Sequence, residues 1–121
     1  MYMYQRHTTG KLGEDIACNY LINCGYNVIE RNFYCKQGEI DIIAIDEKTS
    51  ELVFVEVKTR KNFSYGKPSE AVNENKQKHI YNSAKYYLYS RNLENEFVRI
   101  DVIEVFFKGK EFKINHLKQV I

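Results

Sequence analysis

The strongest constraint on the fold is a pair of apolar stretches separated by a short polar segment. Residues 38–46 are GEIDIIAID and residues 51–59 are ELVFVEVKT, while residues 47–50 between them have the composition of a turn. Two such stretches joined by four turn residues predict an antiparallel β-hairpin. A four-residue loop would pair Asp46 with Glu51, Ile45 with Leu52, Ile43 with Phe54, Asp41 with Glu56 and Glu39 with Lys58. The apolar pattern favours this register or one two residues away.

Acidic residues inside this apolar hairpin point to chemistry. Because side chains alternate along a strand, Asp41 and Glu56 would face each other, with Cβ atoms ~4.5–5.5 Å apart. Two carboxylates at that distance repel unless one takes a proton or a cation lies between them. Asp41, Glu56 and the carbonyl of Val57 are therefore predicted to hold a hard divalent cation, Mg²⁺ or Mn²⁺. Lys58 would orient a water molecule or stabilise a charged transition state.

An ordinary structural explanation of these charges stays open. In a salt-bridge ladder, Lys58 would pair with both Glu39 and Glu56 on a solvated face of the sheet. Charged cross-strand pairs of this kind are common in proteins.

The remaining pattern predicts an α/β or α+β domain. Helices are predicted over 11–24 and, capped by Ser69, over 70–91, with an apolar stripe that includes Val72, Ile80 and Tyr87. Strands are predicted over 26–34, 97–107 and 111–117, after a loose polar start at 1–10. The order αβββαβ, with a fifth strand at the end, predicts one domain over 1–121 with a mixed central sheet flanked by helices.

Composition excludes some classes of function. A formal net charge of +2 neither requires nor excludes a polyanionic partner. The three cysteines form no CxxC pair, which argues against a zinc site. No stretch approaches the ~20 apolar residues of a membrane span, so no membrane partner and a cytoplasmic location are predicted.

The residues also resemble a known family. Asp41 followed by Glu56-Val57-Lys58 resembles the motif of the PD-(D/E)XK nuclease superfamily, although Ile40 stands where a proline is usual. Longer segments resemble the YraN-like bacterial proteins from about Gly10 to about Asp101; they are GKLGEDIACNYL, RNFYCKQGEIDIIAID and LVFVEVKTRK, followed by Gly66, Pro68, Ala71, Val72 and Lys76. That family is grouped by fold with endonuclease-like proteins near archaeal Holliday-junction resolvases. The resemblance implies a restriction-endonuclease-like αβββαβ core.

The resemblance also implies roles for individual residues. It makes Asp41 and Glu56 metal ligands, Lys58 the motif lysine, and Glu14 a helix glutamate that assists the metal site. From the residues alone, Glu14 is a first-turn acid that favours the helix dipole. Glu39 is either an accessory ligand or a partner of Lys58.

Basic residues flank the predicted site. Arg60, Lys61 and Lys67 lie in a loop with interleaved aromatic residues, and a predicted helix carries Lys76 beside Gln77. Such residues bind phosphates, although a lysine in an apolar stripe also reaches solvent for simple packing reasons. We therefore predict a Mg²⁺- or Mn²⁺-dependent endonuclease acting on nucleic acid, and the resemblance to resolvase-like proteins implies branched or structured DNA as the substrate. The alternative is a non-catalytic nucleic-acid-binding module, and a homodimer through the apolar strand 97–107 is a further hypothesis.

Overall fold

Five strands and two helices make up the protein. The computed structural model describes residues 2–61 and 73–121, with side chains from residue 10 onward. The elements are α1 (Tyr2–Asn23), β1 (Tyr26–Cys35), β2 (Gly38–Asp46), β3 (Glu51–Arg60), α2 (Glu74–Ser90), β4 (Val98–Lys108) and β5 (Glu111–Leu117). The strands form one sheet in the order β1-β2-β3-β4-β5. β3 and β4 run parallel and the other neighbours antiparallel, so the predicted αβββαβ order and mixed sheet are confirmed.

Each helix covers one side of the sheet with its own apolar cluster. Ala17 and Leu21 of α1 pack in a cluster with Val53 of β3. Ile80 and Tyr87 of α2 pack in a second cluster, which includes sheet residues of β1 to β4. Each fully buried large side chain contributes ~1.5–3 kcal/mol relative to exposure. The two clusters together hold the helices on opposite sides of the sheet, as the apolar stripes predicted.

Both helices begin at residues that differ from the prediction. α1 begins at Tyr2 and not at the predicted residue 11; no proline interrupts this segment, and adding residues to an existing helix costs less than forming its first turn. α2 begins at Glu74 and is capped by Asn73, whose side chain accepts a hydrogen bond from the Lys76 amide at 2.9 Å. The predicted cap Ser69 and the stripe residue Val72 lie outside the described residues.

β4 is an interior strand, which removes the reason given for a homodimer. It lies between β3 and β5, and its residues from Arg99 to Phe106 are buried. The apolar side chains of residues 97–107 therefore mostly fill the core rather than an exposed interface.

Neither helix in the described part of the chain is long and apolar enough to cross a membrane.

A buried arginine connects the strands at one end of the sheet. Arg99 of β4 is 6% exposed. Its guanidinium donates hydrogen bonds to Asp46 of β2, Glu51 of β3, Asp101 of β4 and the Tyr26 hydroxyl of β1, at distances of 2.7–3.1 Å. Asp101 is fully buried and also bonds His116 of β5 at 2.8 Å. Burial alone would raise the pKa of Asp101, but its bonds to His116 and Arg99 and from the Gln119 amide hold it below the ordinary value of 3.8.

Replacing Arg99 is expected to destabilise the fold. Arg99→Met keeps the length of the side chain but leaves the Asp101 and Asp46 carboxylates buried without their cation. Such a change costs about 3–5 kcal/mol of unfolding free energy, which urea denaturation followed by circular dichroism will measure.

The control for this experiment is Lys11→Met, at an exposed ion pair with Asp15. Its cost should stay within ~1 kcal/mol. Equal stability of Arg99→Met and the wild type would contradict the role assigned to Arg99.

Candidate acidic site at the fork of the hairpin

The predicted hairpin register is correct along the apolar part of β2 and β3. The pairs run from Asp46 with Glu51 to Ile42 with Val55, and there the ladder ends. The predicted pairs of Asp41 with Glu56 and of Glu39 with Lys58 lie beyond this end. Instead, the Val57 amide donates a hydrogen bond to Asp41 Oδ2 at 2.8 Å. The strands thus separate into a fork in which a side chain replaces the backbone partner.

A break in strand alternation positions this fork. On β1, Arg31 bonds acidic residues of α1, yet Phe33 packs in the cluster beneath α2, although residues two apart normally share a face. Asn32 between them has φ of +53°, a conformation that asparagine tolerates better than most residues. On β2, Ile42 and Ile40 lie on opposite sides in the same way. The predicted common face of Glu39, Asp41 and Ile43 is therefore wrong, because alternation reverses at Asp41.

Asp41 is a partly buried acid with a strongly perturbed pKa. Burial and, to a smaller extent, the nearby Glu56 carboxylate together raise the pKa of Asp41 to about 7, although the hydrogen bond from the Val57 amide acts to lower it. Weaker raising effects come from the charges of Glu14 and Glu39. The charges of three other acids therefore act on Asp41 at the fork.

Glu56 is a buried carboxylate that contacts two lysines. It is 6% exposed, and its Oε2 lies 3.1 Å from Lys76 Nζ and 3.6 Å from Lys58 Nζ. Lys58 comes from β3 itself, whereas Lys76 comes from the first turns of α2. The Glu56–Lys58 contact of the salt-bridge alternative is therefore present. Lys76 is thus a direct ion-pair partner of Glu56, whereas its place in the helical stripe had indicated only that its charge reaches the rim.

Close packing of α1 brings Glu14 towards the fork. A Cβ atom on Gly13 would lie 2.4 Å from Thr59 Oγ1 of β3, so glycine allows the helix to approach the strand. Glu14 Oε1 accepts a hydrogen bond from Arg31 Nη2 at 3.1 Å, and its side chain is 15% exposed. Glu14 is therefore not a solvated first-turn acid. Its charge raises the pKa of Asp41, while its direct hydrogen-bond partner is Arg31.

The other predicted residues lie at the border of this site. Arg60 Nη2 donates to Glu104 Oε2 at 3.2 Å. Lys61 is exposed at the end of β3, and Gln77 is half-buried on α2 beside Lys76. Lys67 lies outside the described residues.

Sequence reasoning missed three residues that shape the site. These are Asn32, Arg31 and the buried Glu104 of β4. Glu104 interrupts the apolar run VIEVFF in the same way that Glu56 interrupts LVFVEVK, so the same signal could have found it. Arg31 and Asn32 carry no comparable signal, because their roles depend on a local reversal of the strand.

Comparison with known proteins places the chain among bacterial relatives. A model of the uncharacterised protein family UPF0102 matches residues 13–105, which contain the fork, Glu14 and Glu104. A UPF0102 protein of Clostridium botulinum strain Hall is 50% identical over 103 residues, covering 84% of this chain and 82% of that protein. One from Caldicellulosiruptor bescii is 47% identical over 112 residues, covering 90% and 92%. One from Clostridium perfringens strain 13 is 44% identical over 111 residues, covering 90% and 89%. The predicted resemblance to the YraN-like family is confirmed.

The raised pKa of Asp41 predicts a pH-dependent cost to stability. Between pH 3.8 and about 7 the folded protein holds a proton on Asp41 that the unfolded chain has released, so unfolding free energy falls as pH rises through that window. Asp41→Asn removes this cost. In the presence of a chelator, urea unfolding should show the variant more stable than wild type by about 2–4 kcal/mol at pH 8.5 and nearly equal at pH 4.

Glu47→Gln in the exposed β2–β3 turn is the matched loss of a carboxylate. It should change stability by less than ~0.5 kcal/mol at either pH. A stability difference for Asp41→Asn that does not vary between the two pH values would disprove the assigned pKa.

Proposed function

The chain belongs to the uncharacterised protein family UPF0102, and we propose that it is a metal-dependent nuclease that hydrolyses phosphodiester bonds in nucleic acid. One observation carries the proposal. Asp41 and Glu56 lie so close at a partly buried fork that burial and mutual repulsion raise the pKa of Asp41 to about 7, with Lys58 beside them. Strongly perturbed acids next to a lysine are typical of catalytic sites.

The donor atoms at the fork fit a hard divalent cation. Carboxylate oxygens are the ligands that Mg²⁺ and Mn²⁺ prefer, and Mg²⁺ typically takes one or two carboxylates while keeping several waters. Within residues 10–61 and 73–121, no group of three or more His, Cys, Asp or Glu side chains is arranged to hold a metal. A cation here would thus have only two carboxylate ligands, Asp41 and Glu56, with the Val57 carbonyl as a further oxygen and water in the remaining positions. Glu39 and Glu14 would act on it only through their charge, as they act on Asp41.

Each side chain of the proposed site would have its own role in phosphodiester hydrolysis. Hydrolysis adds one water across a P–O bond; the water oxygen attacks phosphorus and the leaving oxygen takes a proton. A divalent cation supplies a Lewis acid that polarises a phosphoryl oxygen. Asp41 and Glu56 would hold that charge in place, while the Lys58 ammonium would orient the water or stabilise negative charge that develops on phosphorus.

Cations around the fork support a nucleic-acid substrate. Lys58 and Lys76 contact Glu56, while Arg60 is the last residue of β3 and Lys61 follows it. Lysine and arginine supply most of the affinity for nucleic acid by contacting phosphates. The resemblance to resolvase-like proteins favours branched or structured DNA, by analogy of fold alone.

A non-catalytic nucleic-acid-binding module is the second candidate. The observation that favours it is the double contact of Glu56 Oε2 with Lys76 and Lys58. A carboxylate already neutralised by two ammonium groups needs no cation. In that case the basic residues would bind phosphates and the acids would only hold them in position.

Cleavage assays with two active-site variants distinguish these candidates. The wild type should cleave at least one of branched, duplex or single-stranded DNA, or RNA of the same sequence, with Mg²⁺ or Mn²⁺ and not with EDTA. Asp41→Ala and Lys58→Ala should each lower the rate at least about 100-fold, because each removes a group that acts on the reacting phosphate.

A matched control and an independent measurement sharpen this test. Lys48→Ala removes an exposed lysine from the β2–β3 turn, at the other end of β3, and should leave the rate unchanged. Mn²⁺ at 100 times its dissociation constant should stabilise the wild type by about 2.7 kcal/mol, and Asp41→Ala should lose this effect. Cleavage that survives both active-site substitutions would show the site to be misassigned. Binding without cleavage or a cation requirement would support the non-catalytic module.

A further inference from the structure

A second buried carboxylate lies beside the proposed active site. Glu104 is 4% exposed, and in the sheet it is the neighbour of Lys58 on one side and of Asn115 on the other. A buried charge is costly unless it is paired and hydrogen-bonded. Both oxygens of Glu104 are engaged: Oε2 accepts from Arg60 Nη2 at 3.2 Å, and Oε1 accepts from Asn115 Nδ2 at 2.9 Å.

This arrangement fixes an arginine without burying it. The Arg60 side chain is 37% exposed, whereas that of Glu104 is 5% exposed. A guanidinium carries five N–H donors in a rigid plane, so one bond to Glu104 leaves donors available to an anion. Asn115 holds the other Glu104 oxygen, which limits how far the carboxylate can turn. Arg60 is therefore presented to solvent in a defined orientation.

Arg60 extends the line of the proposed active site along β3. The pairing of β3 with β4 is regular from Glu56 to Arg60, so Glu56, Lys58 and Arg60 share one side of the strand. Lys58 and Arg60 are two residues, or ~6.6 Å, apart along the strand, which is more than the ~3.4 Å axial rise per nucleotide of one DNA strand. A guanidinium at that distance can meet a phosphate other than the one at Lys58.

We propose that Glu104 and Asn115 are positioning residues that hold Arg60 against a phosphate flanking the scissile one, so that the site selects a polynucleotide over a substrate with a single phosphate. This inference rests on the proposed function. Arg60 makes the contact, and Glu104 acts through Arg60. A purely structural role, in which Arg60 only neutralises Glu104, predicts no dependence of substrate affinity on either residue beyond net charge.

Whether a Glu104 variant binds nucleic acid more weakly or more tightly distinguishes a positioning role from a purely structural one. Glu104→Gln removes a negative charge next to the phosphate path, so net charge alone would tighten nucleic-acid binding. If Glu104 positions Arg60, the variant should instead bind an oligonucleotide several-fold more weakly. Fluorescence anisotropy in EDTA measures this binding without cleavage.

Variants of Arg60 test the contact itself. Affinity for nucleic acid falls as salt rises, and Arg60→Gln should make this fall less steep. The magnitude of the slope of log affinity against log salt should decrease by about 0.7–0.9, the value for one phosphate contact. The same substitution should raise KM for the oligonucleotide about tenfold, change kcat little, and leave hydrolysis of a dinucleotide with a single phosphate unaffected. Arg60→Lys should recover only part of the affinity, because lysine keeps the charge and loses the planar fork. The matched control is Lys48→Gln, which loses the same charge at the other end of β3 and should leave the slope unchanged.

The outcomes separate this inference from the proposed function. Binding whose salt slope falls in Arg60→Gln, without cleavage by the wild type, would support the phosphate contact and overturn the nuclease. Cleavage by the wild type with Arg60→Gln equal to Lys48→Gln, or tighter binding by Glu104→Gln, would overturn the contact alone. No binding by the wild type would overturn both. If Glu104→Gln does not fold, as circular dichroism will show, the half-exposed Arg60 variants still decide the contact.

Discussion

The buried guanidinium of Arg99 is the interaction on which the arrangement of the sheet depends. It bonds directly to residues of four strands, and Asp101 extends the network to His116 of β5. His116 in turn bonds the Tyr20 hydroxyl of α1 at 3.0 Å. Removing one partner from such a network leaves buried charges without compensation. This end of the sheet therefore holds the strands in register, because each charge in it has an assigned partner.

The opposite end of the hairpin has a different electrostatic character. There the β2–β3 ladder stops at Ile42 and Val55, and Asp41 takes the Val57 amide as its partner. Burial of Asp41 and then the charge of nearby acids, Glu56 above all, raise the pKa of Asp41 there. The stabilisation that the Arg99 network contributes can offset the free-energy cost of holding several carboxylates close together at the fork. Natural proteins commonly accept such local cost at functional sites.

The hairpin register could be predicted from the sequence, whereas the reversal at Asp41 could not. A slip of one residue would turn Ile43 and Phe54 from the cluster beneath α2 to the cluster beneath α1, so both sides of the sheet would have to repack. The reversal depends on the positive φ of Asn32, a residue on a neighbouring strand. Spacing along a strand likewise shows that Glu56 and Lys58 share a side. It does not show that Lys76, twenty residues further along, completes the contact.

Lys76 also bears on how the fork could accept a cation. Its Nζ lies nearer to Glu56 Oε2 than that of Lys58, at 3.1 Å against 3.6 Å, and its side chain is 35% exposed. A long, half-exposed lysine can turn towards solvent at little cost, because the charge is then hydrated. Lys76 thus supplies positive charge to Glu56 in this structure and can yield that place to a divalent ion. Lys58 contacts the same Glu56 oxygen from β3, where Glu104 of β4 is its neighbour in the sheet. Under the proposed function, Lys58 would stay with the reacting phosphate and Lys76 would give way to the ion.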